Sequence, residues 1–434
     1  MWTDDKTIYH IYPLGLCGAP VYNDGQSTNR INKILNFLPH LENLGIGGIY
    51  FGPIFESDKH GYDTRDYFKT DARLGEISDF KEVFDAIHQK GIKIILDGVF
   101  NHVGRGFWAF KDVIEKKWDS PYKDWFILNF DSDPYGVGFW YDCWEGHPEL
   151  VKLNLCNRDV KKHIFDAVRF WIENFDIDGL RLDVAYCLDR GFMSEHRQFV
   201  KSIKDDFVLI GEVLFGDYNL IVNDNMLDSC TNYENYKSLY SAFNSRNLFE
   251  ISYSLNRQFG PFEWCIYKGK HLMTFLDNHD VTRFKSILTD KELVNVGFAL
   301  QLTTPGIPCI YYGSEWGIEG DKAQGDESLR PAVDKPEFNE LTAYIKKLID
   351  IRKSNYVFSF GGYKNIVERN EALIFERKSE NQRAIVAINI GGEIKLAAGE
   401  LYGDFTDAVT SDKVSLCGEL VLPAKCATVL LQNY

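Results

Sequence analysis

The chain has 434 residues, of which 45% are hydrophobic and 26% charged, and its formal net charge is −15 at pH 7. Because the apolar residues are spread along the whole length, the chain can bury a large core and has no disordered or low-complexity block. The acidic balance, without a stripe of Lys and Arg, argues against a nucleic acid or an anionic membrane as partner and fits a neutral ligand.

The cellular compartment is predicted from the cysteines and from the absence of targeting segments. The N-terminal stretch "MWTDDKTIYHIYP" has no basic region followed by an apolar core, and no run of eighteen apolar residues occurs anywhere. The nine cysteines are odd in number, irregularly spaced and without a CxxC pair, which is typical of reduced thiols. We therefore expect a cytoplasmic protein without a membrane span.

Strand-like and helix-like segments alternate in the first hundred residues. Their apolar periodicity predicts strand, helix, strand, helix and strand at 7–14, 31–45, 47–55, 78–91 and 92–100. In the second helix, Ser78 is the expected N-terminal cap and Gly91 the expected left-handed end. This order is the βαβα pattern of a parallel sheet.

The alternation stops at residue 103 and resumes with a helix at 158–175. Five more strands are predicted at 178–185, 207–213, 226–233, 271–278 and 308–316, and a last helix at 339–355. From about residue 355 the pattern is strand and turn only, which indicates an antiparallel β-sandwich. The predicted fold is α/β, a (β/α)8 TIM barrel with an insertion after strand three and a C-terminal β domain. The corresponding segments are a barrel in two parts, 1–102 and 158–354, an inserted domain, 103–157, and a β domain, 355–434.

Polar residues cluster where the predicted barrel strands end. Strands three, four, five and seven end, respectively, with Asp97, Asn101 and His102, with Arg181 and Asp183, with Glu212, and with His279 and Asp280. A barrel brings the C-terminal ends of its strands together, so these side chains are expected at one mouth. Several buried carboxyls raise one another's pKa unless a cation holds some of them ionised.

Arg181 is the predicted cation at this mouth. It lies two residues from Asp183 on the same side of the strand, so its guanidinium is expected to keep Asp183 ionised, as a carboxylate nucleophile requires. Glu212 has no cation beside it in the sequence and is the expected acid/base. Taken singly, each residue has a structural explanation: an ion pair for Arg181 and Asp183, or a satisfied core histidine for His102. Their coincidence at strand ends favours a glycosidase site.

Four stretches carry a resemblance to a known family. "DGVFNH", "GLRLDVAYC", "GEVLF" and "FLDNHD", in this order, resemble the signature regions of the α-amylase family, glycoside hydrolase family 13. The resemblance implies that Asp183 is the nucleophile, Glu212 the general acid/base and Asp280 a third carboxylate that grips ring hydroxyls. It also implies that His102, Arg181 and His279 contact the sugar ring being cleaved or the nucleophile. Asp97 and Asn101 would brace the site.

Other segments extend the resemblance. Tyr62 in "HGYDTRDY" is similar to the family's tyrosine that stacks on the cleaved ring, and Asp326 and Arg330 in "GDESLRP" resemble the pair that holds the next sugar. "LVKLNL", around Asn154, resembles a fifth region. "KHGYDTRDYFKTDARLG", "GFWAFKDV" and "YKDWF" resemble the neopullulanase and cyclomaltodextrinase branch, whose members act on cyclodextrins, pullulan and short malto-oligosaccharides.

Three features bear on specificity. That branch usually has an additional N-terminal β domain that builds a dimer, whereas this chain enters strand one almost at once, which leaves ring preference and oligomeric state open. Val184 after Asp183 occurs in family members that cut α-1,6 as well as α-1,4 bonds. The insertion has a dense aromatic cluster that either stacks on sugars or packs a core, formed by Phe139, Trp140, Tyr141 and Trp144.

The resulting prediction is a retaining α-glucoside hydrolase acting on short malto-oligosaccharides or related α-glucans, with an oligosaccharide as its partner. Retaining chemistry requires the Asp183 and Glu212 carboxyls to lie about 5 to 5.5 Å apart. A glucanotransferase or transglycosylase is the alternative, and a non-catalytic sugar-binding protein is disfavoured because all three acids are present. No cofactor is expected. Calcium occurs in the family near the equivalent of Asn101, but residues 103–157 offer no clear set of oxygen ligands.

Overall fold

The computed structural model describes residues 1–434 and contains the predicted barrel. Its eight parallel strands are β1 (Ile8–Ile11), β2 (Gly48–Phe51), β3 (Lys93–Gly98), β4 (Gly179–Leu182), β5 (Val208–Gly211), β6 (Ser229–Cys230), β7 (Met273–Phe275) and β8 (Ile307–Tyr311). They pair in the order β6-β5-β4-β3-β2-β1-β8-β7. A parallel bridge between Thr231 and Met273 joins the two ends, so the sheet closes into a ring. The predicted (β/α)8 barrel is confirmed.

Helices surround this ring. The α-helices of seven residues or more are α1 (Leu38–Leu44), α2 (Ile77–Gln89), α3 (Trp108–Lys116), α4 (Arg158–Phe175), α5 (Arg190–Ile203), α6 (Tyr233–Asn244), α7 (Phe249–Phe259), α8 (Val294–Thr303) and α9 (Glu340–Ser354). None of them is both long and apolar enough to span a lipid bilayer. Between β5 and β6 only a single 3₁₀ turn occurs, at Tyr218–Leu220.

Two details of the predicted helices are wrong. The segment 31–45 is a 3₁₀ helix, Arg30–Phe37, followed by α1, because Pro39 lacks the N–H that a continuous α-helix would need there. Ser78 does not cap α2. The helix starts at Ile77, and the Asp79 side chain instead accepts a 2.8 Å hydrogen bond from the backbone N–H of Glu76.

The segment between β3 and α4 forms a small sheet at the mouth of the barrel. Its strands His102–Gly104, His147–Lys152 and Cys143–Trp144 pair antiparallel, and a second short pair joins Leu128–Asn129 to Trp140–Tyr141. The insertion therefore begins and ends beside β3 and β4, where it can form a wall of the site.

The C-terminal strands are antiparallel, as predicted. They are β9 (Gly362–Glu368), β10 (Ala372–Lys378), β11 (Gln382–Asn389), β12 (Ile394–Asp407), β13 (Lys413–Leu422) and β14 (Cys426–Asn433), in the order β9-β10-β11-β14-β12-β13. Alternation gives the sheet two apolar faces. Leu373 and Phe375 join the barrel core, whereas Ile374 packs with Leu416 and Leu420 in a separate core. The predicted segment boundaries themselves remain predictions.

A buried carboxylate ties the N-terminal ends of the barrel strands together. Asp178, 2% exposed at its side chain, accepts hydrogen bonds from Lys93 at 2.8 Å, Lys204 at 2.7 Å and the Ile94 N–H at 3.0 Å, and lies 3.1 Å from His88 Nε2. Burial alone would raise the pKa of Asp178, but the bonds from His88, Lys204 and Lys93 outweigh it and hold the pKa below its usual range.

We expect Asp178→Asn to lower the free energy of unfolding by about 3 kcal/mol, because it leaves clustered cations without their counter-charge. Because the folded-state pKa is depressed, this stability is present above about pH 4 and is lost as pH falls. Urea unfolding at pH 7 and at about pH 2 measures both effects. The control is Asp176→Asn, whose side chain is 76% exposed and contacts only Lys204. Equal stability of the two variants would contradict this account.

Candidate active site

A cleft of about 600 Å³ opens at the C-terminal ends of the barrel strands, and most of the predicted site residues meet there. Seven predicted side chains line it: Tyr62, His102, Asp183, Glu212, Asp280, Asp326 and Arg330. The other three, Asp97, Arg181 and His279, are 2%, 3% and 1% exposed and lie beneath the lining residues. The strand-end pattern thus predicts four of the lining residues and the three beneath them, whereas Tyr62, Asp326 and Arg330 were implied by the family resemblance.

Arg181 connects three carboxyl groups from three neighbouring strands. Its Nη1 lies 2.8 Å from Oδ1 of Asp97 and 2.8 Å from Oδ1 of Asp183, and its Nη2 lies 2.7 Å from Oε1 of Glu212. The predicted pairing of Arg181 with Asp183 is therefore present. Glu212, which has no cation beside it in the sequence, meets one across the sheet, because β5 pairs directly with β4 and places Glu212 beside the same guanidinium.

The ionisation of Asp183 differs from the sequence-based expectation. Burial raises the pKa of Asp183 well above its usual range; Arg181 opposes this rise, and repulsion from Glu212 and Asp97 adds to it. One guanidinium cannot balance three carboxylates, so Asp183 binds a proton more readily than an isolated acid.

The backbone after β4 brings the two carboxyl groups together. Val184 has φ 40° and ψ 48°, the left-handed region that costs a β-branched residue about 1–3 kcal/mol. In this conformation its N–H donates a 3.0 Å hydrogen bond to Oε2 of Glu212, while the N–H of Ala185 donates to the Glu212 carbonyl at 2.9 Å. The residue following Asp183 therefore fixes Glu212, a role that the sequence pattern did not predict.

Asp280 occupies a different electrostatic setting on the other side of the cleft. It lies 2.9 Å from Nε2 of His279 and accepts a 2.8 Å hydrogen bond from Nη2 of Arg330, which also contacts Asp326 at 3.1 Å. Burial would raise the pKa of Asp280, but His279, Arg330 and Arg181 hold it well below its usual range. Asp280 is therefore a carboxylate at neutral pH.

Asp97 supports the floor of the cleft. Besides Arg181, it accepts hydrogen bonds from Tyr50 at 2.9 Å and from Tyr62 at 3.0 Å, and the Tyr62 hydroxyl also contacts His279. Tyr50, in β2, was not predicted from the sequence. These contacts fix the Tyr62 ring at the cleft wall, where it can stack on a sugar.

His102 has a free ring nitrogen at the cleft. Its Nδ1 lies 3.2 Å from Nδ2 of Asn101, whereas its buried Nε2 has no hydrogen-bond partner and lies 3.9 Å from Oδ2 of Asp183. Burial lowers the pKa of His102 to about 3, so the ring is neutral at pH 7. Nε2 is available to a ligand hydroxyl beside Asp183.

The aromatic cluster of the insertion divides between two roles. Phe139 and Tyr141 are fully buried in the hydrophobic core, whereas Trp144 lines the cleft and stacks on His147 with ring centroids 5.5 Å apart. Further lining residues, not singled out from the sequence, come from loops and short helical turns, from the strand His147–Lys152 and from the start of α6: His60, His147, Glu149, Leu150, Tyr186, Leu214, Tyr233, Val281 and Lys322. No periodicity distinguishes such residues, since their position depends on tertiary packing.

No group of three or more His, Cys, Asp or Glu side chains is arranged to hold an ion. The amide nitrogen of Asn154 donates to the carbonyl of Asp124 at 3.1 Å, so this side chain joins two parts of the insertion and does not reach the cleft.

Known proteins share this sequence and architecture. A family model described as the catalytic domain of α-amylase matches residues 22–354. Neopullulanase 2 of Thermoactinomyces vulgaris is 32% identical over 95% of this chain and 74% of its own length. A cyclomaltodextrinase of Geobacillus thermopakistaniensis is 32% identical over 90% of this chain and 70% of its own.

Among solved structures, the ligand-free cyclic α-maltosyl-(1→6)-maltose hydrolase of Arthrobacter globiformis superposes with a TM-score of 0.85. It is 25% identical, over 99% of both chains. A debranching enzyme of Nostoc punctiforme has a TM-score of 0.79 at 28% identity, over 99% of this chain and 98% of its own. With this sequence match and this cleft, the chain belongs to the α-amylase family of glycoside hydrolases.

Proposed function

We propose that the protein hydrolyses short malto-oligosaccharides or related α-glucans with retention of anomeric configuration, using Asp183 as nucleophile and Glu212 as acid/base. The observation that carries this proposal is the shared guanidinium of Arg181, which bonds both carboxyl groups. A retaining glycosidase needs two carboxyl groups close enough for one to attack the anomeric carbon while the other protonates the leaving oxygen. Carboxyls that contact the two nitrogens of one guanidinium meet that requirement.

The protonation that the first chemical step requires supports the same assignment. Glycosyl transfer to the enzyme begins with one carboxyl ionised and one protonated, and the raised pKa of Asp183, to which the charge of Glu212 contributes, retains a proton at this site. In the proposed first step Asp183 attacks and Glu212 gives its proton to the departing sugar. In the second step Glu212 removes a proton from water, which releases the sugar from Asp183. The arrangement of Arg181 lets it stabilise Asp183 as the leaving carboxylate.

Recognition of the substrate is proposed for the residues around this pair. Asp280, held as an anion, accepts hydrogen bonds from ring hydroxyls; Nε2 of His102 meets another hydroxyl; Tyr62 stacks on the ring. Asp326 and Arg330, at the cleft rim, contact the next sugar. The names of the relatives cover a cyclomaltodextrinase, a neopullulanase and a hydrolase of a ring with (1→6) links, so linear and cyclic α-glucans are the substrates to test.

A cytoplasmic location is also proposed. All nine cysteines are free thiols, as in proteins of reducing compartments. A relative from Bacillus subtilis, 29% identical over 84% of this chain, is named an intracellular maltogenic amylase.

Product analysis tests the reaction directly. The purified protein is incubated with maltotriose, panose and β-cyclodextrin, and NMR follows the anomer formed first. Release of glucose or maltose as the α-anomer is expected, because two displacements at the same carbon restore its configuration. A first-formed β-anomer would overturn the retaining mechanism, and products longer than the substrate would identify a transferase.

Asp183→Asn and Glu212→Gln separate the two proposed roles. Both should lower kcat/KM on maltotriose by at least about a thousandfold. With α-maltosyl fluoride, whose leaving group needs no protonation, Glu212→Gln should still release fluoride, whereas Asp183→Asn should not. The matched control is Glu149→Gln, a carboxyl in the same cleft with its side chain 56% exposed. Fluoride release by Asp183→Asn at the wild-type rate would exclude it as nucleophile.

The pH profile provides a further prediction. Asp183 must be ionised to attack, so kcat/KM falls as pH drops through its pKa, which burial and repulsion from Glu212 and Asp97 raise. Glu212→Gln removes one repulsive charge and should lower that pKa. We therefore expect the acid limb for α-maltosyl fluoride to move to lower pH in Glu212→Gln and to stay in place in Glu149→Gln. An acid limb that moves upward, or equally in both variants, would contradict the assignment.

A further inference from the structure

A second cavity, of about 300 Å³, lies at the opposite end of the barrel from the cleft. Residues 268–271, just before β7, and 305–306, just before β8, form its barrel side. Residues 361–364, at the start of β9, and 376–378, at the end of β10, form the side of the C-terminal sheet. It therefore lies between the base of the barrel and the C-terminal sheet. None of its residues lines the cleft or contacts the carboxyl groups described above.

The lining of this cavity is cationic, although the chain as a whole carries a formal charge of −15. Six basic side chains line it: Lys268, Lys270, His271, Lys364, Arg377 and Lys378. The only carboxyl group among the lining residues, Glu376, is paired with Arg383 at 2.5 Å, and Lys364 is paired with Glu400 at 2.6 Å. No carboxylate partner remains for Lys268, Lys270, Arg377 or Lys378.

Two buried polar groups of this cavity, on Arg377 and His271, have no charged hydrogen-bond partner. Arg377 is fully buried and donates only to carbonyl oxygens, those of Thr303 at 2.7 Å, Gly361 at 2.8 Å and Gly362 at 3.2 Å. Carbonyl dipoles offset a guanidinium charge only in part, so a buried cation of this kind favours a nearby anion. Nδ1 of His271 is buried without any hydrogen-bond partner.

The two lysines that precede β7 are held in place by the backbone. Lys270 donates to the carbonyl of Val222 at 2.6 Å and Lys268 to that of Pro261 at 3.2 Å, whereas Lys378 makes no side-chain contact. Each ammonium group has three donors, so those engaged with one carbonyl keep donors for a ligand. Cations that converge from separate segments on a small cavity form a site for an anion with several acceptor oxygens.

We propose that this cavity binds a phosphate group, carried either by free inorganic phosphate or by the phosphate monoester of a small sugar. A phosphate dianion offers oxygens to Lys268, Lys270 and Lys378 together and supplies the counter-charge near Arg377. The volume lies at the lower end of the range for small-molecule sites. Phe360, whose ring lies 5.4 Å from that of His271 at the rim, gives an apolar wall for a sugar ring attached to the phosphate.

Binding is tested with the whole protein by calorimetric titration and by thermal unfolding, at constant ionic strength. The probes are inorganic phosphate and glucose 1-phosphate, with chloride replacing them in the blank. A ligand that binds the folded state raises Tm in a saturable manner. Lys268→Gln/Lys378→Gln removes two charges from the cavity. The matched control, Lys81→Gln/Lys347→Gln, removes two exposed lysines from the helices α2 and α9.

We expect saturable binding to the wild type and to the control, and a dissociation constant at least about tenfold higher for the cavity variant. Glucose 1-phosphate binding more tightly than inorganic phosphate, with the difference lost in Phe360→Ala, would identify the sugar ester as the ligand; equal affinity would identify free phosphate. The same loss in both double variants, or a Tm rise that chloride reproduces, would overturn the proposal. Hydrolysis of maltotriose without phosphate should be unchanged in the cavity variant, so this test does not depend on the catalytic assignment.

Discussion

The contact of one guanidinium with three carboxyl groups is the constraint on which the catalytic end of the barrel depends. Arg181 extends from β4, Asp97 from β3 and Glu212 follows β5, so the contact forms only when these three strands pair in register. Taking four charges out of water is costly unless each finds its partners. The barrel supplies them with tyrosine hydroxyls on Asp97 and a backbone N–H on Glu212. Fold and site are therefore coupled through the same hydrogen bonds.

The carboxyl groups of the cleft fall into two electrostatic settings. Around Arg181, acids outnumber the cation and the pKa of Asp183 rises, whereas Asp280 is surrounded by His279, Arg330 and Arg181 and its pKa falls. When their environments separate the pKa values of neighbouring acids, one acid can transfer a proton while another stays ionised and stabilises charge. In the proposed mechanism, Asp183 and Glu212 exchange a proton with the substrate while Asp280 stays ionised and orients the ring.

The sequence predicted what depends on strand order and missed what depends on contacts between loops or across strands. The barrel and four of the lining residues, His102, Asp183, Glu212 and Asp280, follow from strand ends, because closure gathers them. The other three, Tyr62, Asp326 and Arg330, were indicated only by the family resemblance. The spacing of residues along the chain does not indicate the contact between Arg181 and Glu212, because the two residues are neighbours only across the paired strands β4 and β5. Phe139 and Trp144 belong to the same aromatic cluster in the sequence. Tertiary packing places Phe139 in the core and Trp144 at the cleft, and the sequence pattern does not distinguish them.

The two ends of the barrel differ in the sign of the charge that lacks a partner. At the C-terminal end of the strands carboxyls exceed cations, which favours protonation and a neutral, hydroxyl-rich ligand. At the N-terminal end two buried charged groups have different partners. Asp178 contacts several cations, whereas Arg377 contacts only carbonyl oxygens. The N-terminal face of such barrels usually serves stability. An anion bound beside Arg377 would act in that way, by joining the base of the barrel to the C-terminal sheet without touching the reacting groups.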